Sequence, residues 1–433
     1  MTLVAYVTSS AVLMAMIIAL IPGVIRKDEF SFKLFLICVL FQNILGILFS
    51  PYCKSLYIQV LILYKELVLY GVIVMYCITH FKTKIKVKNI YMFIYMILLI
   101  IFTLVSSASL YARLVSLRQL LQPLVLVYFG YCLSVSGEDI EKFEKLVIKI
   151  GVILAVFGFI EEFILGDKFW LTLKISKYYI VRGFGSGIFS HGLPGDYYSA
   201  DFYSLTGRSF RRMVSFLADP LLSAHFMAFS FVLLLYGKNL QQNKLKRQMQ
   251  LIILGIAILL TLSKGAILIV GISIYFYIRN KYKVFSYFVF LICLGLVVVI
   301  IKKDVFDSMQ FHINGLTSSV RLLGTGLGTA GNFAAYAGEK TTGAGESYLG
   351  AIMAQVGGVA LCLFLASFVK IFKVIQKNNN TIMAKAIVAY IIASLVESSI
   401  SESAISYVGN GISFVFIGMM YRQAVDNIET KRK

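Results

Sequence analysis

Apolar runs of membrane-spanning length recur along this sequence from its first residues to about Tyr421, separated by short charged stretches. About twenty apolar residues is the length at which an α-helix crosses the hydrocarbon core of a bilayer, where each backbone polar group must be satisfied within the segment. The runs lie near residues 3–25, 31–50, 55–79, 89–106, 118–136, 146–165, 221–237, 249–262, 265–279, 284–301, 349–369, 385–400 and 405–421, about thirteen in all. No stretch between them is long enough for a separate soluble domain. The spacing therefore predicts an all-α polytopic membrane protein of about 12–13 transmembrane helices, with residues 1–433 forming one transmembrane domain. Composition agrees, since 59% hydrophobic against 14% charged residues leaves too little polar surface to cover a water-soluble fold. The run at 3–25 has no basic residue before it and no small-residue cleavage site at its end, so it reads as a retained span.

The formal net charge of +20 divides into two parts. Short linkers carrying Lys82/Lys84/Lys86/Lys88, Lys142/Lys145/Lys149, Lys244/Lys246/Arg247, Arg279/Lys281/Lys283 and Lys370/Lys373/Lys377 fall on one side by alternation, and the positive-inside rule makes that side cytoplasmic. Lys431, Arg432 and Lys433 agree, and the odd number of spans puts the N-terminus outside. Two long loops, 166–220 and 302–348, then lie outside, where their many basic residues run against the topology rule and point to an anionic partner. The six cysteines fall singly, without CxxC, and only four histidines are scattered along the chain. That pattern predicts no structural disulfide and offers no zinc or haem spacing.

The first outer loop ends in Arg208, Arg211 and Arg212, followed by Asp219 and Pro220 at the next span. Arginine forks match phosphate oxygens bidentately, so a cluster at the membrane rim suits a pyrophosphate headgroup; attraction to anionic phospholipid is the plainer alternative. Arg182 and His191 in the same loop sit among glycines and carry less information. The short runs 249–262 and 265–279 meet at Ser263-Lys264-Gly265, which predicts a tight hairpin near the outer surface with a lysine at membrane depth. A charge at a helix centre costs roughly 2.5–3.5 kcal/mol on insertion, so Lys264 needs a partner such as phosphate unless it snorkels to water.

The second outer loop contains Arg321, a glycine cluster at Gly324, Gly326 and Gly328, and Glu346, Ser347 and Tyr348 at the start of the span near 349–369. No strand precedes the glycines and no Walker lysine follows, so nucleotide binding fails its context; flexible backbone able to close over a sugar chain fits better. Glu346 stands where a lipid-linked sugar meets water and is a candidate general base, against the plainer reading of a helix N-terminal carboxylate. His312 is a second base candidate. Lys65 and Glu66 near the middle of the third span, Arg113, Arg118, Glu161, Glu162, Glu397 and Glu402 are expected to form ion pairs inside the bundle.

Four segments in order, RRMVSFLADPLLSAHF at 211–226, TLSKGAILI at 261–269, RLLGTGLGTAGNF at 321–333 and ESYLGAIMAQVGGVAL at 346–361, resemble the Wzy-type surface-polysaccharide polymerases and the related O-antigen ligases. They cover most of the second half of the chain; the first half matches only as generic spans. The resemblance implies a fold like that of GT-C-type membrane glycosyltransferases in the bacterial cytoplasmic membrane, with an active site facing outward. It implies a metal-independent inverting transfer, without cofactor, of a growing glycan from undecaprenyl pyrophosphate to the non-reducing end of a lipid-linked repeat unit. Carried over, Arg211 or Arg212 and Lys264 hold the pyrophosphate and Glu346 takes the base position; beside them Arg321 is a further pyrophosphate candidate, His312 a second base candidate, and Tyr348 and Asp219 candidate glycan contacts. Lysine at 264 replaces the more usual arginine, and Glu346 stands where the ligases show histidine, which favours a polymerase and leaves the base open. Undecaprenyl-pyrophosphate-linked oligosaccharides and membrane lipids are the implied partners, with a flippase and a chain-length regulator beside them; no nucleic acid is implied. The alternatives are an O-antigen ligase and a lipid-linked oligosaccharide flippase or transporter. The absence of a detectable internal repeat and the two long basic outer loops count against transport.

Overall fold

The computed structural model describes residues 28–79, 89–133, 135–183, 189–199, 201, 203–237, 244–283, 286, 317–336 and 346–431. The expected runs at 3–25 and, almost entirely, 284–301, together with His312, lie outside the described residues. The chain is mostly helical, in fourteen principal helices among the described residues. These are α1 (Asp28–Phe49), α2 (Ser55–Thr79), α3 (Ile90–Val105), α4 (Leu110–Cys132), α5 (Gly137–Ile160), α6 (Gly166–Thr172), α7 (Ile175–Val181), α8 (Pro220–Tyr236), α9 (Lys244–Leu260), α10 (Lys264–Lys281), α11 (Tyr348–Gln355), α12 (Gly358–Asn378), α13 (Ile382–Glu397) and α14 (Gly411–Thr430). Three of them, α1, α2 and α12, are long and apolar enough to cross a membrane. This is consistent with an all-α membrane protein.

The bundle is organised by close helix pairs: α4 on α14, α10 on α13, α1 on α2, α12 on α3, and α8 between α5, α9 and α10. At the α4–α14 contact the backbones touch. A Cβ on Gly130 would lie 2.0 Å from the Val415 carbonyl oxygen, and one on Gly418 would lie 2.0 Å from that of Val127. Small residues allow this approach where apolar solvent gives helices little reason to associate.

Polar side chains start the helices as local chemistry requires. Asp219 accepts from the Leu221 and Leu222 N–H groups at 2.8 and 3.0 Å with Pro220 in the first turn, Ser263 caps α10, and Ser347 caps α11. The apolar run near 349–369 is not one span. It divides at Gly357, whose φ of 106° no side-chain-bearing residue adopts without strain, and α12 begins just beyond.

The described parts of the outer loops are packed on the bundle, and the expectation of a flexible glycine-rich stretch needs correction. The described part of the first loop is folded. A single π-turn, Glu161–Leu165, continues α5 into α6 and α7, followed by β1 (Phe189–Ser190) paired antiparallel with β2 (Leu193–Pro194), and β3 (Tyr198–Ser199) with β4 (Phe210–Arg211). Trp170, Tyr178, Tyr197 and Val214 form their own apolar core with Ile44, Ile47 and Ile58, so this cap is anchored to α1 and α2. The glycine-rich stretch, expected as flexible backbone over a sugar, is instead wedged into the bundle. Thr325 and Gly326 N–H groups donate to the Ala354 and Gln355 carbonyls at 3.0 Å each, Gly328 N–H donates to Gln355 Oε1 at 2.8 Å, and Gln355 Nε2 returns to the Ala330 carbonyl at 2.7 Å. A Cβ at Gly324 would fall 2.2 Å from Gln355 backbone, so this segment is glycine-rich because it is crowded.

Candidate active site

Arg211 and Arg212 are neighbours on an extended segment, so their side chains leave it in opposite directions. Arg211 donates through Nε to Asp167 Oδ1 at 2.8 Å and through its two terminal nitrogens to Glu162 and Glu161. Glu161, fully buried, also accepts from the Val214 N–H at 3.1 Å and from Trp170 Nε1 at 2.8 Å. Arg211 is thus the clasp that closes the cap on the end of α5, and three carboxylates occupy the donors that a pyrophosphate was expected to use. The expected phosphate role does not fit it.

Arg212 turns the other way, onto the α9–α10 hairpin. Its Nε donates to the Thr261 carbonyl at 2.8 Å, Nη2 to that of Leu262 at 3.4 Å and Nη1 to that of Asp196 at 3.3 Å. No carboxylate forms an ion pair with it among the described residues. Burial lowers its affinity for its proton, and the surrounding charges of Asp196, Asp219, Asp201 and Glu346 work against that effect. The turn itself is tight, with Leu262 in the left-handed region at φ 50°. It presents Lys264, whose Nζ pairs with Asp201 Oδ1 at 2.7 Å. The hairpin expected from two short runs is present, and the lysine has a protein partner from the cap.

Glu346 is exposed one residue before the Ser347 cap of α11, and its charge reaches both Arg212 and Glu402. The cap strand with Arg212 thus lies against the hairpin that presents Lys264, and Glu346 at the start of α11 is within electrostatic range of Arg212. The remaining candidates stand elsewhere. Tyr348 is fully buried, its hydroxyl donating to the Leu120 carbonyl at 3.1 Å beside Phe364, so it is a core residue and no glycan contact. Asp219 spends Oδ1 on the α8 cap; its carboxyl is pushed up by burial, although the cap N–H groups, Arg182 and Arg212 oppose this, so it too is a structural residue. Arg321 lends its backbone carbonyl to the Gly358 N–H at 2.9 Å and makes no ion pair among the described residues. Its backbone sits at the helix break. His191 hydrogen-bonds Ser190 at the exposed tip of the first hairpin.

Two groups in this region, Asp196 and His225, were not singled out from sequence, and two others, Glu402 and Glu397, have partners the sequence did not name. Asp196 is pushed up to about 7, by burial and then by Asp219, with Arg212 pulling it back. Glu402, expected only as an ion-pair partner, accepts from the Asn332 N–H at 3.3 Å and is pushed up to about 7 mainly by burial, with Glu346 adding to the rise. Beneath the hairpin lies a buried pair, His225 on α8 and Glu397 on α13, with His225 Nε2 at 2.8 and 2.9 Å from the two carboxylate oxygens. His225 Nδ1 faces the Leu221 carbonyl at 2.6 Å, which can only accept, so Nδ1 carries a proton and a second proton is shared between Nε2 and Glu397. A Cβ at Gly265 would lie 1.8 Å from Glu397 Oε1, which explains glycine beside Lys264: the carboxylate fills its place at the head of α10.

The Glu402 shift has a measurable consequence. A carboxyl raised from an ordinary value of 4.5 to about 7 stabilises the fold fully below pH 4.5, and that contribution is lost as pH rises through 7. Thermal unfolding in detergent should show wild type losing roughly 3 kcal/mol relative to Glu402→Gln across this window. A difference that stays flat with pH would place Glu402 in water. Compared with known proteins, the chain matches no family model and no curated sequence.

Proposed function

We propose that the chain is a polytopic surface-polysaccharide polymerase of about 12–13 spans, with a GT-C-like architecture, acting at the outer face of a bacterial cytoplasmic membrane. The observation that carries this reading is the seating of Arg212 on the turn that presents Lys264, with the Glu346 carboxylate from a third segment within electrostatic range of Arg212. The substrate class that uses such a set is a glycan on a lipid diphosphate. Arg212 and Lys264 bind the donor diphosphate, with Lys264 exchanging Asp201 for a phosphate oxygen. Glu346 accepts the proton of the non-reducing-end hydroxyl of an incoming repeat unit as that oxygen bonds to the donor anomeric carbon. The bond from that carbon to the lipid diphosphate breaks with inversion, and the leaving group departs with the electron pair. Negative charge grows on the diphosphate in the transition state, where fixed cations act most strongly. Arg211 and the cap hold Arg212 in register against the hairpin.

A ligase would use the same donor chemistry with a different acceptor, whereas a transporter would expose the site alternately to both sides. Sidedness is therefore the first test of this reading. Glu346→Cys in sealed spheroplasts should react with a membrane-impermeant maleimide added outside, and a lipid-diphosphate glycan should slow that reaction. Labelling only after the membrane is opened contradicts an outward site.

A further inference from the structure

A second charged cluster, on α2 and α4, is untouched by the donor site. Arg118 grips Glu66 through Nε at 2.9 Å and through Nη2, and Lys65 Nζ lies 3.7 Å from the same carboxylate while donating to the Ile62 carbonyl at 2.6 Å. Both cations also lie over the Tyr407 ring, at 5.3 Å for Lys65 and 6.0 Å for Arg118. Two cations thus share one carboxylate. Lys65 and Glu66 are buried, but the Arg118 side chain is 39% exposed, and a guanidinium that uses Nε and Nη2 on one edge keeps Nη1 on the opposite edge. An uncompensated charge near the middle of an apolar helix costs roughly 2.5–3.5 kcal/mol, which an anion would offset.

The surface around Arg118 indicates what kind of anion. Leu63, Leu67, Tyr70 and Val74 are exposed at intervals of four, three and four residues, which draws one apolar stripe down α2, and Leu114, also exposed, lies one turn before Arg118 on α4. A charged head opening onto an apolar stripe fits an amphiphile with a phosphate end and a long hydrocarbon chain, better than free phosphate. The cluster is also electrically joined to the cap, because Arg182, stacked over Tyr178 and Tyr179, lies within electrostatic range of both Lys65 and Asp219.

We propose that the Lys65–Glu66–Arg118 cluster holds the diphosphate of the acceptor, a second lipid-linked oligosaccharide whose hydrocarbon chain lies along the Leu63–Val74 stripe. The assignment rests on the polymerase reading above. A reaction that joins two lipid-linked glycans has two diphosphates: one leaves, and the other stays attached through the turnover and needs its own cations. Arg118 supplies one through its exposed edge, with Lys65 buried behind it against Glu66, and these residues are distinct from Arg212 and Lys264.

The test uses the full chain in phosphatidylcholine nanodiscs with a photoreactive polyprenyl diphosphate. Two equivalents should bind, and crosslinks from one should map to the α2 stripe in wild type, a result that needs no variant. Arg118→Gln should weaken that equivalent about tenfold to a hundredfold, Arg118→Lys should restore much of it, and the equivalent lost in Arg212→Gln should be the other one. The inference is overturned if crosslinks avoid α2, if Arg118→Gln binds both equivalents normally, or if excess phosphatidylglycerol displaces the probe there, which would make the cluster a general anionic-lipid site. Binding only at Arg212 and Lys264 would sink the acceptor site alone, whereas binding at neither cluster would remove the polymerase reading with it.

Discussion

Lys264→Ala and Arg212→Ala should each reduce polymer formation from lipid-diphosphate-linked repeat units by about a hundredfold or more, the usual consequence of removing one fixed charge from a developing anion in a dry site. The two variants differ in how they fail. Lys264 pairs with Asp201 of the cap, so its loss should show chiefly in turnover. Lys264→Arg keeps the charge and adds a fork, and should retain much activity. Arg212 also ties the Thr261 and Leu262 carbonyls to the cap, so Arg212→Ala should loosen the hairpin as well, and Arg212→Lys should recover the charge without the ties. Initial rates measured beside thermal unfolding separate these contributions. Polymer at near wild-type rates from both alanine variants would remove the diphosphate assignment.

The second large effect is on folding. Arg211→Ala leaves Glu161, Glu162 and Asp167 facing one another without their cation, and breaking a buried pair in this way costs about 3–5 kcal/mol. The cap should detach from the end of α5, its segment 166–219 should become sensitive to protease, and Trp170, whose indole donates to Glu161, should change its fluorescence. Arg211→Lys keeps charge but cannot serve three carboxylates at once, so it should fall between. A variant that unfolds like wild type yet fails to bind a lipid diphosphate would return Arg211 to the phosphate role that the sequence suggested.

The neighbouring arginines show where sequence reading stops. The basic cluster at 208–212 was visible, but which of two adjacent arginines faces which partner depends on the register of a two-residue strand, and a slip of one residue exchanges them. The hairpin at Ser263-Lys264-Gly265 was legible because two short apolar runs leave no other path, and the need of Lys264 for an anion follows from its depth. Its partner Asp201 lies 63 residues away in a segment without periodicity, so it could not be named. Lys65, Glu66 and Arg118 were expected to pair because charges in apolar runs must, and they do. The glycine-rich stretch misled for a physical reason: glycine serves flexibility and crowding alike, and only the neighbouring Gln355 and Ser106 backbones distinguish them. Tyr348 beside Glu346 was a candidate glycan contact, but α11 is a short helix with most of its residues buried, and that ring lies in the core. Glu397 was expected to pair within the bundle, but its partner His225 is ordinary in sequence and acquires meaning only through a contact spanning 172 residues.

The most direct measurement is the product-length distribution from purified protein supplied with a lipid-diphosphate-linked repeat unit, wild type beside Glu346→Gln. A ladder of longer glycans from wild type that is lost in the variant is the predicted result, and it would establish both the polymerase and its base. No extension by wild-type protein, under conditions in which it binds the lipid diphosphate, would contradict the account.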